Sequence, residues 1–190
     1  DLPAPSLVGE HQVANAGLAV AAALAVRFPV LDPDGIARAQ WPARFQRLDK
    51  GPLGEAAKKA GATLWLDGGH NPHAGEALAR TLEDLVARDA RPVTLIVGML
   101  NRKDAPGFLA LFRRLGADVV ATSFDSPNAQ TSGEIAAAAR FVGLDAVEAA
   151  DVSAAVALAL NSERPPHILI CGGLHFAGDV LALSLETWPS

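Results

Sequence analysis

The sequence predicts a doubly wound α/β domain: a mostly parallel sheet with helices on both faces. Two observations carry this expectation. From about residue 39 onward, short apolar runs alternate with longer amphipathic segments of helical period. The apolar runs at residues 93–97 and 167–171 are nearly continuous, as in strands buried on both sides, and do not alternate with polar residues.

The elements follow in order. Residues 1–9 form a Pro-containing lead-in. Residues 10–27 read as an alanine-rich helix that Phe28-Pro29 ends. Asp32-Pro33-Asp34 looks like a cap entering a short helix to about Gln40, which Trp41-Pro42 breaks. Residues 45–48 are a plausible strand. The polar, glycine-containing stretch 49–61 reads as a loop or hairpin excursion. Strands are then expected at 63–66, 93–97, 118–122, 146–148 and 167–171. Helices are expected at 73–88, 106–115, 132–141, 152–160 and 174–185, with Thr131 or Ser132 capping the third of these. Residues 39–190 form the α/β domain. Residues 1–38 do not fit the alternation and read as the end of a preceding domain plus a linker.

Bulk properties narrow the function classes. The chain has 190 residues, 50% hydrophobic and 19% charged, which is enough apolar material for a core. A formal net charge of −5 argues against a nucleic-acid binder. The one cysteine, Cys171, has no internal partner, which points weakly to a reducing cytoplasm. The longest apolar run, residues 13–26, is shorter than the roughly 20 residues a membrane span needs. The start Asp1-Leu2-Pro3 reads as a cut within a longer chain.

Common nucleotide and metal signatures are missing from this sequence. It holds no GxGxxG, no P-loop, no CxxC and no HExxH. Of the five histidines only His70 and His73 are close in sequence, and no carboxylate sits at a metal-ligand spacing from them, so no metal site is expected here.

The most informative stretch is Trp65-Leu66-Asp67-Gly68-Gly69-His70-Asn71-Pro72-His73. An apolar strand ends in an aspartate, a double-glycine turn follows, and His-Asn-Pro opens a helix. Ligands of open α/β sheets bind off the carboxyl ends of strands. Asp67 there could accept hydrogen bonds from ribose hydroxyls. His70 lies near a helix N-terminus, which favours phosphate. Turn and cap duty for Asp67 and Asn71 is the equally simple reading. Gln40-Trp41-Pro42-Ala43-Arg44-Phe45 presents Arg44, whose fork suits phosphate oxygens, just before a strand. In Gly9-Glu10-His11-Gln12-Val13-Ala14-Asn15, Asn15 could read a base edge. Residues 98–104 and Cys171-Gly172-Gly173-Leu174-His175 follow two further strands, the glycines of the latter allowing close backbone approach. Taken singly, Arg44 reads more simply as a surface residue, Asn15 as part of a cap, and 98–104 as a charged solvated loop.

In order and spacing, the series HQxxN, WPxRFQ, LDGGHNP, GMLxxKD and CGGLH resembles the Mur ligase superfamily, and within it the folylpolyglutamate synthase/dihydrofolate synthase family. The likeness runs from Gly9 to about Leu183. It implies a Rossmann-like C-terminal domain that closes on an N-terminal P-loop ATPase domain, with ATP between them. It places the adenine-contacting asparagine on Asn15, the phosphate-contacting arginine on Arg44, the ribose-contacting aspartate on Asp67 and the phosphate-proximal, catalytic histidine on His70. It implies a ligase of folate and one-carbon metabolism that joins L-glutamate to dihydropteroate or folate, with Mg²⁺ ligands outside this chain and the fragment alone inactive. Departures from the family pattern are Ala43 for glycine, Gly69 for alanine, Arg102 for aspartate, and Gly173-Leu174-His175 for Ser-Leu-Tyr. The alternatives are a stand-alone Rossmann-like binding module or another amino-acid ligase of the superfamily.

Overall fold

The computed structural model describes residues 2–28, 32 and 34–188. Pro29 and Pro33, expected to punctuate the first two helices, lie outside them.

The chain opens with α1 (Glu10–Ala25) and the short α2 (Asp34–Arg38). Edge strand β1 (Gln46–Arg47) precedes α3 (Gly51–Lys59) and β2 (Thr63–Leu66). Then come α4 (Pro72–Arg88), β3 (Val93–Val97), α5 (Ala105–Leu109), a 3₁₀ turn (Ala110–Leu115) and β4 (Asp118–Ala121). The chain continues with α6 (Ser132–Phe141), β5 (Ala146–Glu148), α7 (Val152–Leu160), β6 (His167–Cys171), α8 (Leu174–Ala182) and a last 3₁₀ turn (Leu185–Thr187).

The sheet order is β1-β2-β6-β3-β4-β5. Only β1 runs antiparallel, pairing Gln46 with Leu66 and Arg47 with Trp65. The others are parallel, with β6 and β3 at the centre and every residue of both buried. Alternate residues of these strands face two separate cores. On one side Leu95, Val97 and Leu169 meet Leu78 and Leu82 of α4, Phe108 of α5 and Ile135 of α6. On the other, Ile96, Ile168 and Ile170 meet Leu53 of α3, Val156 of α7 and Val180 of α8. This is the doubly wound architecture the strand composition predicts.

One expectation fails: residues 49–61 are not a loop. They carry α3, with Pro52 in its first turn and Lys58 and Lys59 in its last, both favourable placements. Leu53 and Ala57 sit one turn apart and are buried. Gly54, which argued for a loop, lies in the helix because a side chain there would come within 2.8 Å of the Leu48 carbonyl oxygen. Smaller corrections concern ends. The segment expected at 106–115 tightens from α-helix into a 3₁₀ turn after Leu109, and the last helix stops at Ala182.

Candidate functional site

Five connections leave the carboxyl ends of the parallel strands, and the one after β2 builds a cavity of about 350 Å³. Asn15, Arg44, Asp67 and His70 all line it, with His11, Gln12, Asn71, His73 and Leu174. The turn is fixed from several directions. Asn71 caps α4, its Oδ1 accepting from the Ala74 N–H at 2.9 Å, and Pro72 follows where no N–H is needed. The Gly172 N–H donates to the Gly69 carbonyl at 2.9 Å, tying the β2 and β6 turns together. A Cβ at Gly68 would come within 2.4 Å of the tip of the Leu174 side chain, so a larger residue here requires Leu174 to move aside.

Asp67 holds the site together. It is 6% exposed. Its Oδ1 accepts from Gly69 N–H and its Oδ2 from Phe45 N–H, each at 2.7 Å. The second bond fastens the loop that carries Arg44. Burial raises the Asp67 pKa above the usual carboxylate value, opposed by the two backbone N–H groups, Arg44 and His11.

Arg44 sits between two left-handed residues, Ala43 at φ 54° and Phe45 at φ 45°. Such a φ is strained for a residue with a Cβ, most of all for a bulky one. Phe45 is held there by Asp67 and by its buried ring, 4.8 Å from Trp65. Ala43 is held by its N–H to Gln46 Oε1 at 3.0 Å and by its carbonyl, which accepts from Gly68 N–H at 3.0 Å. Among the described residues the half-buried Arg44 guanidinium bonds only the Ala43 carbonyl, at 3.1 Å, and it lines the cavity with its other donors.

His70 is half-buried, and its Nδ1 lies 3.0 Å from the Gly68 carbonyl. A carbonyl only accepts, so Nδ1 carries the proton and Nε2 is left as the free nitrogen. Asn15 is exposed on α1, and its Nδ2 donates to Gln12 Oε1 at 3.2 Å. Burial lowers the His11 pKa; Asp67 opposes this, while Arg44 and His73 add to it.

The four expected residues therefore meet around one space. The stretch 98–104 does not join them: its Lys103 carbonyl and the Leu100 carbonyl accept from Gln130 Nε2, and Asp104 caps α5. Of the CGGLH stretch only Leu174 reaches the cavity. Sequence reasoning left His11, Gln12 and His73 without a role. The signal available for Gln12 was its place among the polar residues that open a helix otherwise made largely of alanine, valine and leucine; the structure makes it the one buried residue of α1. Among the described residues no cluster of three His, Cys, Asp or Glu could hold a metal ion. None of the helices described is long and apolar enough to cross a membrane.

A doubly wound sheet with a cavity off its strand ends, lined by an arginine and three histidines, has the architecture in which open α/β domains bind ligands. The chain belongs to the Mur ligase family: the model described as "Mur ligase, glutamate ligase domain" matches residues 44–174. Its relatives carry folate-ligase names. It is 25% identical over 186 residues to a probable dihydrofolate synthetase of Schizosaccharomyces pombe, covering 92% of this chain and 43% of that protein. It is 34% identical over 155 residues to the dihydrofolate synthase/folylpolyglutamate synthase of Mycobacterium tuberculosis, covering 76% and 29%. Among solved structures, E. coli FolC in complex with DHPP and ADP superposes with a TM-score of 0.76 at 27% identity, covering 96% of this chain and 40% of that one. The chain thus spans less than half the length of each.

Proposed function

We propose that this chain forms one wall of the ATP cleft in a ligase that joins L-glutamate to dihydropteroate or folate. The observation that carries this reading is the convergence of Asn15, Arg44, Asp67 and His70 on one cavity at the carboxyl end of the sheet. The nucleotide-bound state of the E. coli structure agrees with it. In this reading, residues 1–38 are the end of an ATPase domain that supplies the P-loop and the Mg²⁺ ligands, and residues 39–190 are the clamp that closes on it. A cytoplasmic setting belongs to the same reading, in keeping with a lone, buried Cys171.

A carboxylate is a poor electrophile, so ATP supplies the phosphoryl group that makes it an acyl phosphate, which the glutamate amine then attacks. Arg44 offers its fork to phosphate oxygens and stabilises their charge in a water-poor cleft. Asn15 offers an amide to the base. Asp67 sets the position of Arg44 through Phe45 N–H and keeps spare lone pairs for ribose hydroxyls. His70, with Nδ1–H held by Gly68, turns its Nε2 to the phosphates and the incoming amine.

Arg44→Ala tests this. Charge-assisted contacts contribute roughly 1.5–3 kcal/mol, so ATP affinity of the chain, and kcat/KM of the ligase containing it, should fall about 10- to 150-fold. Unchanged ATP dependence would leave Arg44 as a packing residue beside Trp41. The chain by itself, without a P-loop, should release no phosphate from ATP above a matched blank.

A further inference from the structure

We propose that Gln12 is a positioning residue that decides which hydrogen-bonding face Asn15 turns to a purine, and that a proton on His11 Nε2 reverses that face. This rests on the reading that Asn15 contacts the base. The observations are a chain of three side chains. Gln12, 5% exposed, lies with its Nε2 3.0 Å from His11 Nε2, and its Oε1 accepts from Asn15 Nδ2 at 3.2 Å.

A carboxamide has one accepting end and one donating end. With Oε1 occupied by Asn15, Gln12 presents N–H to His11. His11 Nε2 must then be a bare lone pair, and the neutral ring carries its proton on Nδ1. Asn15 spends one N–H on Gln12 and keeps Oδ1 and the other N–H. That acceptor–donor pair matches the N6 amino group and N7 of adenine. When His11 Nε2 is protonated, Gln12 must turn its Oε1 to it, and its Nε2–H then takes Asn15 Oδ1. Asn15 is left with an N–H-rich face, which suits the O6 and N7 acceptors of a 6-oxopurine.

The charged and titratable groups around His11 come from several elements. Asp67 at the end of β2 raises its pKa; Arg44 in the preceding loop and His73 on α4 lower it. Glu10 beside it, and Arg80 and Asp84 of α4, share a second cavity with it. Burial, the largest influence, keeps His11 neutral around neutral pH, so the adenine-reading direction is the resting one.

ATP and ITP, identical except at the 6-position, are titrated by NMR into the 190-residue chain at pH 8 and at acid pH. The wild type should prefer ATP roughly tenfold at pH 8, within the range of one bidentate base contact. The preference should shrink or invert as His11 protonates. Gln12→Met should bring ATP affinity down to that of ITP with ITP affinity little changed. Gln12→Glu, which still accepts from Asn15 but cannot reverse, should keep the ATP preference at both pH values. Equal losses for both nucleotides in Gln12→Met, or an undiminished preference, would overturn the proposal. So would an Nε2–H tautomer of His11 at pH 8, read from its ring ¹⁵N shifts, and that result leaves the nucleotide site standing. A wild type without preference, matched by Asn15→Ala, would instead remove the base contact itself and the relay with it.

Discussion

The two ends of strands β2 and β6 treat buried polar groups in opposite ways. At the amino end, Thr63 and His167 sit side by side in register and close on themselves. His167 is fully buried, its Nδ1 2.7 Å from Thr63 Oγ1 and its Nε2 2.9 Å from the Asp89 carbonyl. The Trp65 indole N–H donates to Thr63 Oγ1 at 3.1 Å. The order is therefore indole to hydroxyl to imidazole to carbonyl, with every partner inside the protein. At the carboxyl end, Asp67 is also buried and bonded, but it braces a loop with two left-handed residues and leaves Arg44 turned to open space. The same strands thus end in a finished network on one side and a strained, unfinished one on the other. Strain and spare donors together are what single out the carboxyl end as the proposed binding end; either alone is common in structural turns.

The carboxyl end should be the less forgiving of backbone change. Gly172 has φ 126°, and a side chain there would come within 2.2 Å of the Gly98 carbonyl oxygen. Backbone, not a movable side chain, stands in the way. Gly172→Ala should cost about 3 kcal/mol or more, read as a lower denaturant midpoint with an unchanged slope. An effect under about 1 kcal/mol would show that β3 and β6 can separate at their ends.

Asp67→Ala comes next. It leaves the Phe45 and Gly69 N–H groups buried without their acceptor, a loss of roughly 2–3 kcal/mol. Hydrogen exchange should quicken at Phe45 and Gly69 before it does in β3. Protection unchanged at both amides would mean that the 43–45 loop holds without the carboxylate.

The central strands were legible because β3 and β6 are apolar at nearly every position, a pattern that only a two-sided core explains. The site was legible as separate motifs, since Asp67, Arg44 and His70 each follow a strand end or a break. Two things were hidden. Gly54 disguised α3 as a loop, because its requirement is tertiary: room for the Leu48 carbonyl. Of the two bonds on the Asp67 carboxylate, the one from Gly69 N–H is the turn duty the sequence allowed, and the one from Phe45 N–H only the fold shows. Local spacing cannot reveal a bond to a residue 22 positions away.

The amino end should answer to pH. Burial lowers the His167 pKa below its unfolded value, with the Asp89 backbone and carboxylate opposing and Arg91 and Arg47 assisting. The unfolded chain then takes up a proton first as the pH falls. Stability from this network is complete above the unfolded histidine value of about 6.5 and declines below it, until the folded pKa is passed. Thr63→Val leaves Trp65 Nε1 and His167 Nδ1 without their shared hydroxyl and should cost about 1–2 kcal/mol at pH 8. A His167→Gln variant whose stability between pH 8 and 5 falls as steeply as that of the wild type would assign the acid response to other groups.

The smallest expected effect is the most pointed test of strain at the carboxyl end. Ala43 is 2% exposed at φ 54°, and Ala79 is 0% exposed within α4. Changing either to glycine removes one buried methyl, about 0.8 kcal/mol. At Ala79 the helix adds its own preference for alanine, about 1 kcal/mol, so Ala79→Gly should cost roughly 1.5–2 kcal/mol. At Ala43 the left-handed backbone works the other way, since relieving a Cβ there returns about 1–2 kcal/mol against a glycine entropy cost of roughly 0.5–1 kcal/mol. Ala43→Gly should therefore shift stability by less than about 0.8 kcal/mol in either direction. The substitution keeps the bonds of the Ala43 N–H to Gln46 and of its carbonyl to Gly68, so Arg44 and ATP affinity should stay where they are. Urea midpoints of the two variants, measured side by side, decide the matter: if they fall equally, the loop that presents Arg44 carries no strain, and the contrast between the two ends of the sheet rests on Asp67 alone.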